Sequence, residues 1–312
     1  MAYQEPEFLP WDGRRVPITF VGGYLGAGKT TVINEVIANS DRPIAVIVND
    51  VGAINIDAKL IRKRRGDMIE VTNGCVCCSS IDGMGAAFDQ IRARPEPPDH
   101  VLVELSGVAE PLRMIPWGQS AGFMLDGIVV VVAADQLMPE ALPEWIQKQL
   151  CAQITYADLL ILTKGELVDT DSLSNVWKRL ADLAPTTPVF NCHSDIFGMG
   201  SVGRFLALGG RRPTDSQAIA PSTLFDAHQT HLITPPDALS FAQLESWLEA
   251  LPNQLRGQLV RAKGILSTTD HGLMLVQVVG PRREITPVPE PERQPPTELV
   301  VITVANSFAL DS

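Results

Sequence analysis

The 312-residue sequence has few cysteines and no long hydrophobic segment. Its five cysteines are an odd number, and they are too few for the disulfide framework of a small secreted domain. The longest strongly apolar stretch, residues 127–134, is far shorter than the roughly 20 residues that cross a bilayer. The first ten residues carry acids and proline instead of the basic and apolar regions of a signal peptide. We therefore expect a cytoplasmic protein with reduced thiols and no membrane partner.

Basic residues are also scarce. The chain has 25 Lys and Arg against 36 Asp and Glu, which gives a formal net charge of −11. A nucleic-acid binder needs clustered cations against the phosphates. The one dense basic run, residues 62–65, is interpreted as a solvated turn. We therefore expect no nucleic-acid partner.

Short apolar runs rich in Val and Ile alternate with helical patterns through the first two thirds of the chain. Several runs are apolar at consecutive positions, which is typical of strands covered on both faces. This alternation predicts an α/β fold with a mostly parallel sheet and helices on both faces. The predicted strands are residues 18–23, 43–50, 68–71, 100–107, 127–134, 159–164 and 188–191.

The last third has a different composition. Gly, Arg, Pro, Ser and Thr dominate residues 198–222, and six prolines in residues 281–300 predict an extended loop. A helix with Ser240 as N-cap is predicted at residues 239–251. Strands are predicted at residues 259–266, 273–279 and 299–304. The predicted domains are a P-loop domain (14–205), a linker (206–222) and a small α+β domain (223–306).

The segment from Gly23 to Thr30 fits the pattern G-x-x-x-x-G-K-[ST] without a mismatch, and it lies between a predicted strand and a predicted helix. In this motif, backbone amides and the helix N-terminus surround the phosphates. Lys29 is the candidate that bridges β- and γ-phosphates, and the Thr30 hydroxyl is a candidate Mg²⁺ ligand. The predicted nucleotide-binding residues of this segment are Gly23, Gly26, Ala27, Gly28, Lys29, Thr30 and Thr31.

Acidic residues follow two predicted strands at the edge where an open α/β sheet binds its ligands. Asp50 ends one apolar run, and Glu104 ends another as part of E-L-S-G. Beside a phosphate loop, two such acids are candidates for holding Mg²⁺ and orienting water. Ser106 and Gly107 resemble a turn that senses a γ-phosphate through backbone N–H groups.

A candidate base-recognition segment follows the predicted strand that ends near residue 163. Guanine-selective pockets use Asn/Thr-Lys-x-Asp, in which the Asp carboxylate accepts hydrogen bonds from the base. Here Thr163, Lys164 and Glu166 hold these positions, and the acid is one methylene longer. A charged turn after a buried strand is an equally good interpretation of this short pattern.

Three thiols lie within four residues at Cys75, Cys77 and Cys78. A disulfide between neighbouring cysteines would be strained, because adjacent Cα atoms lie only about 3.8 Å apart. Thiolates in one loop form a soft site suited to Zn²⁺, or to Co²⁺ and Ni²⁺ with lower affinity. The alternative is three small buried hydrophobic residues. Cys151 and Cys192 are assigned to the core, and His193 is interpreted as a surface histidine.

The order of these motifs resembles the CobW family of metal-handling P-loop GTPases, related to the urease and hydrogenase nickel-insertion GTPases. The resemblance rests on G-G-Y-L-G-A-G-K-T-T, V-N-D-V-G-A-I-N-I-D, N-G-C-V-C-C-S, V-E-L-S-G-V-A-E-P and T-K-G-E-L, over roughly residues 16–195. The Cys-x-Cys-Cys motif is its most specific element. Leu251-Pro252 and residues 261–264 also resemble the start of the family's C-terminal domain.

The resemblance implies a GTPase with catalytic residues Lys29, Asp50 and Glu104, and with Mg²⁺ held by Thr30 and the same two acids. It implies that Cys75, Cys77 and Cys78 bind Zn²⁺ or Co²⁺, and that GTP controls delivery of the metal to an unidentified client protein. We expect hydrolysis to be slow. A homodimer is one of the assemblies that we consider.

Two departures from the family's pattern keep alternatives open. Ala53 stands where the family usually has Glu, which favours a nucleotide-gated metal carrier or sensor with little hydrolysis. Thr163 and Glu166 replace the commoner Asn and Asp, which leaves an ATP-preferring P-loop NTPase as a further hypothesis.

Overall fold

The computed structural model describes residues 10–40, 42–48, 68–70, 80–139, 141–191, 228–235, 239–255, 257–279, 282–288 and 298–304. These residues form two separate sheets. None of the helices in these ranges is both long and apolar enough to cross a membrane.

The first sheet has seven strands, which are β1 (Val16–Gly22), β2 (Ile44–Val48), β3 (Met68–Glu70), β4 (His100–Glu104), β5 (Phe123–Ala133), β6 (Leu159–Thr163) and β7 (Val189–Asn191). Their order in the sheet is β3-β2-β4-β1-β5-β6-β7, and every pairing is parallel. All residues of β2, β4 and β6 are buried, as expected for a parallel sheet covered on both faces. The predicted α/β fold is confirmed.

Helices cover both faces of this sheet. They are α1 (Lys29–Ala38), α2 (Ser80–Arg92), α3 (Ile115–Gly118), α4 (Glu144–Thr155) and α5 (Thr170–Leu183). Short 3₁₀ segments lie at Pro10–Gly13, Pro111–Met114, Ala134–Leu137 and Gly165–Leu167. The period-two pattern of β1 explains the two cores: Phe20 packs with Phe88 of α2 on one face, and Val21 packs with Ile33 of α1 on the other.

The strand β5 begins at Phe123, whereas the apolar run predicted a start at Gly127. The pairing with β1 shifts register at Asp126, which is buried. Thr19 Oγ1 donates to Asp126 Oδ2 across 3.2 Å, and His100 Nε2 lies 2.8 Å from the same hydroxyl oxygen. Burial lowers the pKa of His100 to about 4, while Asp126 acts in the opposite direction. The hydrogen bond from Thr19 of β1 therefore allows β5 to contain the buried acid Asp126.

The second sheet consists of β8 (His228–Ile233), β9 (Gln258–Thr268), β10 (Gly272–Val279), β11 (Arg282–Pro287) and β12 (Glu298–Val304). It is antiparallel, and its strand order is β11-β10-β9-β12-β8. The helix α6 (Phe241–Ala250) packs on one face, followed by the 3₁₀ segment Leu251–Gln254. Ser240 caps α6 in a capping box with Gln243, so the predicted N-cap is observed.

The prediction that residues 281–300 form an extended loop is wrong for its first part, because Arg282–Pro287 form β11. This strand lies at the edge of the sheet, where one side of the backbone needs no partner. Pro287 is its last residue, a position that tolerates a missing N–H group. Proline density therefore did not exclude a strand.

The two sheets share apolar contacts. Val260 of β9 and Ile302 of β12 belong to the same buried cluster as Phe20 of β1 and Phe88 of α2. The domain limits 14–205 and 223–306 and the linker 206–222 stay predictions, because residues 192–227 lie outside the described part of the chain.

Candidate nucleotide and metal site

The phosphate loop, Gly23–Thr30, connects the end of β1 to the first turn of α1. Gly23, Gly26 and Gly28 have φ angles of 126°, 73° and 98°. Residues other than glycine rarely adopt such positive values. A Cβ atom on Gly23 would lie 2.2 Å from the carbonyl oxygen of Val131. The path of the loop beside β5 therefore requires glycine at this position.

Lys29 is 6% exposed, and its ammonium group folds back onto the phosphate loop. Lys29 Nζ donates to the carbonyl oxygen of Gly23 across 3.0 Å and to that of Tyr24 across 3.3 Å. The amide of Ala27 donates to the Tyr24 carbonyl as well. The lysine side chain that the motif assigns to the phosphates is therefore already inside the loop.

Side chains from two other strand ends bind the remaining part of the loop. Gln136 Nε2 donates to the Leu25 carbonyl oxygen across 2.6 Å. Lys164 Nζ donates to the Gly26 carbonyl across 2.6 Å, and Thr163 Oγ1 donates to the Ala27 carbonyl across 2.7 Å. These side chains bind the carbonyl groups of the loop from one side. The other backbone N–H groups of the loop can then face an anion on the opposite side.

Thr30 and Glu104 meet beside this loop. The Thr30 hydroxyl donates to Glu104 Oε1 across 2.9 Å, and Glu104 is 4% exposed. A hydroxyl and a carboxylate are the oxygen ligands that Mg²⁺ prefers, so these two residues fit the predicted ion. Thr31, the next residue, has an exposed side chain in the first turn of α1.

The register of the sheet brings a third strand end to the same edge. Val48 of β2 pairs with Glu104 of β4, and it also pairs with Glu70 of β3. Asp50 follows Val48 by two positions, but it lies outside the described residues. Its predicted role at the metal therefore stays a prediction.

The turn after β4 lies against the phosphate loop. Ser106 is buried, and its Oγ accepts a hydrogen bond from the amide of Val108 at 3.4 Å. A Cβ atom on Gly107 would lie 2.7 Å from the backbone nitrogen of Leu25 and 2.8 Å from its Cα. Glycine is therefore needed here so that the turn can contact the loop.

The end of β6 presents the candidate base-recognition residues at the same edge. Lys164 has a left-handed backbone conformation with φ of 59°. The single Thr163 hydroxyl proton faces the carbonyl groups of Ala27 and Val132, so it is not directed to a base. Glu166 is exposed. Of the three predicted residues, two bind the phosphate loop and the acid remains accessible.

The predicted thiol ligands Cys75, Cys77 and Cys78 lie outside the described residues. The chain reaches them from β3, whose last residue, Glu70, pairs with Val48 of β2. Within the residues that the structure describes, His, Cys, Asp and Glu side chains form no cluster of three that could hold a metal. Of the other two cysteines, Cys151 is partly exposed instead of fully buried, and Cys192 lies outside the described part together with His193.

Sequence patterns did not identify Gln136 as a residue of this site. It lies in the 3₁₀ segment Ala134–Leu137 that follows β5, and it is 4% exposed. The available signal was its position, since polar residues at the carboxyl ends of parallel strands line the ligand edge of such sheets. No motif includes it, so only the hydrogen bond to Leu25 reveals it.

Residues 17–191 match the family described as CobW/HypB/UreG, nucleotide-binding domain. Residues 228–309 match the cobalamin synthesis protein cobW C-terminal domain. The chain is 31% identical over 204 residues to the zinc chaperone CobW of Sinorhizobium sp, covering 56% of this chain and 58% of the relative. It is 30% identical over 192 residues to the zinc chaperone YjiA of Escherichia coli K12, covering 58% and 59%.

The aligned part thus spans less than two thirds of the length of either relative. Among solved structures, the Zn(II)-bound YjiA GTPase from E. coli is similar with a TM-score of 0.43 and 19% identity, covering 93% of this chain and 95% of that one. HypB from Helicobacter pylori in complex with nickel has a TM-score of 0.43 and 19% identity, covering 61% and 83%.

Proposed function

Because the chain belongs to the CobW/HypB/UreG nucleotide-binding family, we propose that it is a GTP-hydrolysing metallochaperone. It binds Zn²⁺, or Co²⁺, through Cys75, Cys77 and Cys78 and transfers the metal to a client metalloprotein. Two relatives are named zinc chaperones, which supports zinc as the cargo. The observation that carries the nucleotide part is the contact between Thr30 and Glu104 beside the glycine loop.

In the proposed reaction, the triphosphate lies against the amides of the phosphate loop. Lys29 Nζ, which has three N–H donors, directs at least one of them to phosphate oxygens. Thr30 and Glu104, with Asp50, hold Mg²⁺, which supplies positive charge to the phosphate oxygens when it is bound. Water attacks the γ-phosphorus and the bond to the β,γ-bridging oxygen breaks, giving GDP and phosphate.

The proposed coupling of nucleotide to cargo rests on the order of strands. Glu104 of the nucleotide site and Glu70, which precedes the thiol segment, both pair with Val48. A γ-phosphate contacted by the Gly107 turn can then favour one arrangement of the neighbouring strand ends. Metal affinity would differ between the GTP and GDP states, and hydrolysis would release the metal to the client.

We place the protein in the cytoplasm, where thiols stay reduced, and we include a homodimer among its assemblies. We also propose slow hydrolysis, because Ala53 supplies no carboxylate to assist water.

A second candidate is an ATP-preferring NTPase, and the exposed carboxylate of Glu166 favours it. The Thr163 hydroxyl is directed to the phosphate loop, so among the three candidate residues only Glu166 is available to select the base edge. A Glu carboxylate one methylene longer than Asp must be repositioned to accept both guanine N–H groups. Competition between GTP and ATP for one site distinguishes the two candidates.

The experiment that tests the proposed function measures phosphate release from GTP and ATP, with and without Zn²⁺. We expect GTP turnover that Zn²⁺ changes, and no turnover in Lys29→Ala. Absence of GTP turnover under every metal condition would refute the proposed GTPase activity. The alternative function, a nucleotide-gated metal carrier or sensor, would then be favoured.

The metal site has its own test. The unmodified protein should bind one Zn²⁺, and Cys77→Ser should lose it with GTP affinity unchanged. Metal binding should weaken at low pH, because the ligand is the thiolate. Cys151→Ser, which changes a thiol on α4, is the matched control and should keep the metal.

A further inference from the structure

Gln136 lies behind the phosphate loop at a position that the motifs do not explain. Its amide nitrogen donates to the Leu25 carbonyl oxygen across 2.6 Å, and its side chain is buried. We propose that Gln136 is a positioning residue of the nucleotide site, which fixes the Leu25 segment of the loop for the triphosphate. This role rests on the proposed nucleotide binding.

The carbonyl groups of the phosphate loop need donors that remain when a ligand binds. Lys29 Nζ has three N–H donors, and the two that bind the Gly23 and Tyr24 carbonyl groups in this structure would be shared with phosphate oxygens. Lys164 and Thr163 hold the carbonyl groups of Gly26 and Ala27, in the second half of the loop. From outside the loop, the Gln136 side chain holds the Leu25 carbonyl in its first half.

The turn that contains Gly107 lies on the other side of Leu25. The Gly107 turn is packed so closely that a Cβ atom there would come within 2.8 Å of the Leu25 Cα atom. Leu25 is therefore held between Gln136 and the turn that follows Glu104. A shift of Leu25 would be transmitted to this turn, which is the candidate contact of the γ-phosphate. We therefore expect Gln136 to affect triphosphate binding more than diphosphate binding.

The oxygen atom of the Gln136 amide differs from its nitrogen atom in its contacts. Gln136 Oε1 is buried and has no hydrogen-bond partner in the described part of the chain. A buried acceptor without a partner lowers stability, so the favourable contribution of this amide is its donor, which binds the Leu25 carbonyl. Rotating the amide would place its oxygen against the Leu25 carbonyl, so the donor orientation is defined. The amide therefore holds the phosphate loop through its nitrogen, while its buried oxygen has no partner among the described residues.

The test compares two methionine variants that remove the same group. In Gln136→Met we expect triphosphate affinity to fall about tenfold, since one hydrogen bond to the loop is lost. GDP affinity should fall by at most about threefold. The midpoint of thermal unfolding should change little, because the variant removes one buried acceptor without a partner and takes the Gln136 donor from the Leu25 carbonyl. Triphosphate affinity is measured by titrating the full chain with a non-hydrolysable GTP analogue in the presence of Mg²⁺.

Gln153→Met is the matched control. Gln153 is 5% exposed, donates to the Ala109 carbonyl across 3.2 Å, and also leaves a buried Oε1 without a partner in the described residues. Its carbonyl partner lies outside the phosphate loop. Ala109 lies in the turn that contains Gly107, since its amide donates to the Ser106 carbonyl, so this variant changes the turn without removing the contact to Leu25. We expect it to lose less affinity for the GTP analogue than Gln136→Met does.

A third variant, Gln136→Glu, adds a pH-dependent readout. At pH 8 the new carboxylate would face the Leu25 carbonyl and repel it, so affinity should fall more than in Gln136→Met. Near pH 5 a protonated carboxyl group can donate to the same carbonyl. Affinity relative to the unmodified protein at the same pH should then recover, which a packing effect alone would not produce.

The outcomes separate this role from the proposed function. If the unmodified chain does not bind the GTP analogue, both are overturned. If it binds, and a folded Gln136→Met variant binds as tightly, the positioning role alone is overturned. Equal losses in Gln136→Met and Gln153→Met, or no recovery of Gln136→Glu at pH 5, would also overturn it.

Discussion

The Thr30 hydroxyl donates a hydrogen bond to the Glu104 carboxylate across 2.9 Å, although 74 positions separate them in the sequence. They meet because β1 and β4 are adjacent parallel strands, with Val21 paired to Glu104. Thr30 follows β1 in the first turn of α1, at the carboxyl edge of the sheet. One hydrogen bond thus joins the phosphate loop to the acid that follows a different strand.

Thr30→Ala should weaken GTP binding in a Mg²⁺-dependent manner. The variant removes one oxygen ligand of the ion, so we expect affinity for GTP with Mg²⁺ to fall about tenfold. With EDTA in place of Mg²⁺, the affinities of variant and unmodified protein should agree. An equal defect in both conditions would contradict the role of Thr30 at the metal. Thr155→Ala, which removes a hydroxyl bonded within α4, is the control.

Gly107→Ala should destabilise the fold and reduce triphosphate affinity together. The added Cβ would lie 2.6 Å from Leu25 Cδ2 and 2.7 Å from the Leu25 backbone nitrogen, and backbone atoms yield poorly. We expect a loss of about 1–3 kcal/mol in the free energy of unfolding, measured by urea denaturation. Gly165→Ala, whose nearest neighbour atom lies at 3.5 Å, should leave stability close to that of the unmodified protein.

Glu166 should decide the base preference of the site. Glu166→Asp restores the usual acid, and we expect the ratio of GTP to ATP affinity to rise about tenfold if both guanine N–H groups gain an acceptor. Glu166→Gln offers a donor to the base and should lower that ratio. Because the side chain is exposed, neither change should alter stability by more than about 0.5 kcal/mol. Identical ratios in all three proteins would exclude Glu166 from base recognition.

The free energy of unfolding should decrease as the pH is lowered, because His100 is buried in its neutral form. Burial lowers the pKa of this imidazole from 6.5 to about 4, while Asp126 raises it and Arg42 lowers it. The fold favours the neutral ring, so its contribution is complete above pH 6.5 and is lost as pH falls towards 4. We expect the free energy of unfolding to be about 2 kcal/mol lower at pH 5 than at pH 7 from this group alone.

Urea denaturation at several pH values between 5 and 7.5 measures this dependence. His100→Gln removes the titrating group and should flatten the profile by the same amount. His271→Gln, which changes an exposed histidine in the turn between β9 and β10, should leave the profile unchanged. A profile in His100→Gln as steep as that of the unmodified protein would show that other groups cause the pH dependence.

Much of the nucleotide domain could be predicted from local sequence. Continuous apolar runs such as Ile44–Val48 predict strands buried on both faces, and such strands are observed. The phosphate loop is local as well, since strand, glycines, lysine and helix are contiguous. Strand limits were less accurate, because an internal acid such as Asp126 needs partners from other strands to be buried.

Contacts between distant segments could not be predicted in the same way. Nothing in the sequence near Gln136 indicates that its amide reaches the Leu25 carbonyl, since 111 positions separate them. The strand Arg282–Pro287 was not predicted, because the sequence nearby is rich in proline. Proline is compatible with an edge strand, but the sequence does not show that this strand lies at the edge of its sheet.

The sequence by itself determined which chemistry is available: a phosphate loop, an acid after a strand, and three clustered thiols. These are contiguous motifs, whose geometry follows from local backbone preferences. Only the tertiary structure decided which groups meet. The strand order places Glu104 against Thr30, and the end of β5 supplies Gln136 behind the loop. Val260 and Ile302 join the second sheet to the first core. Such contacts depend on how strands are ordered and packed, which a one-dimensional pattern does not specify.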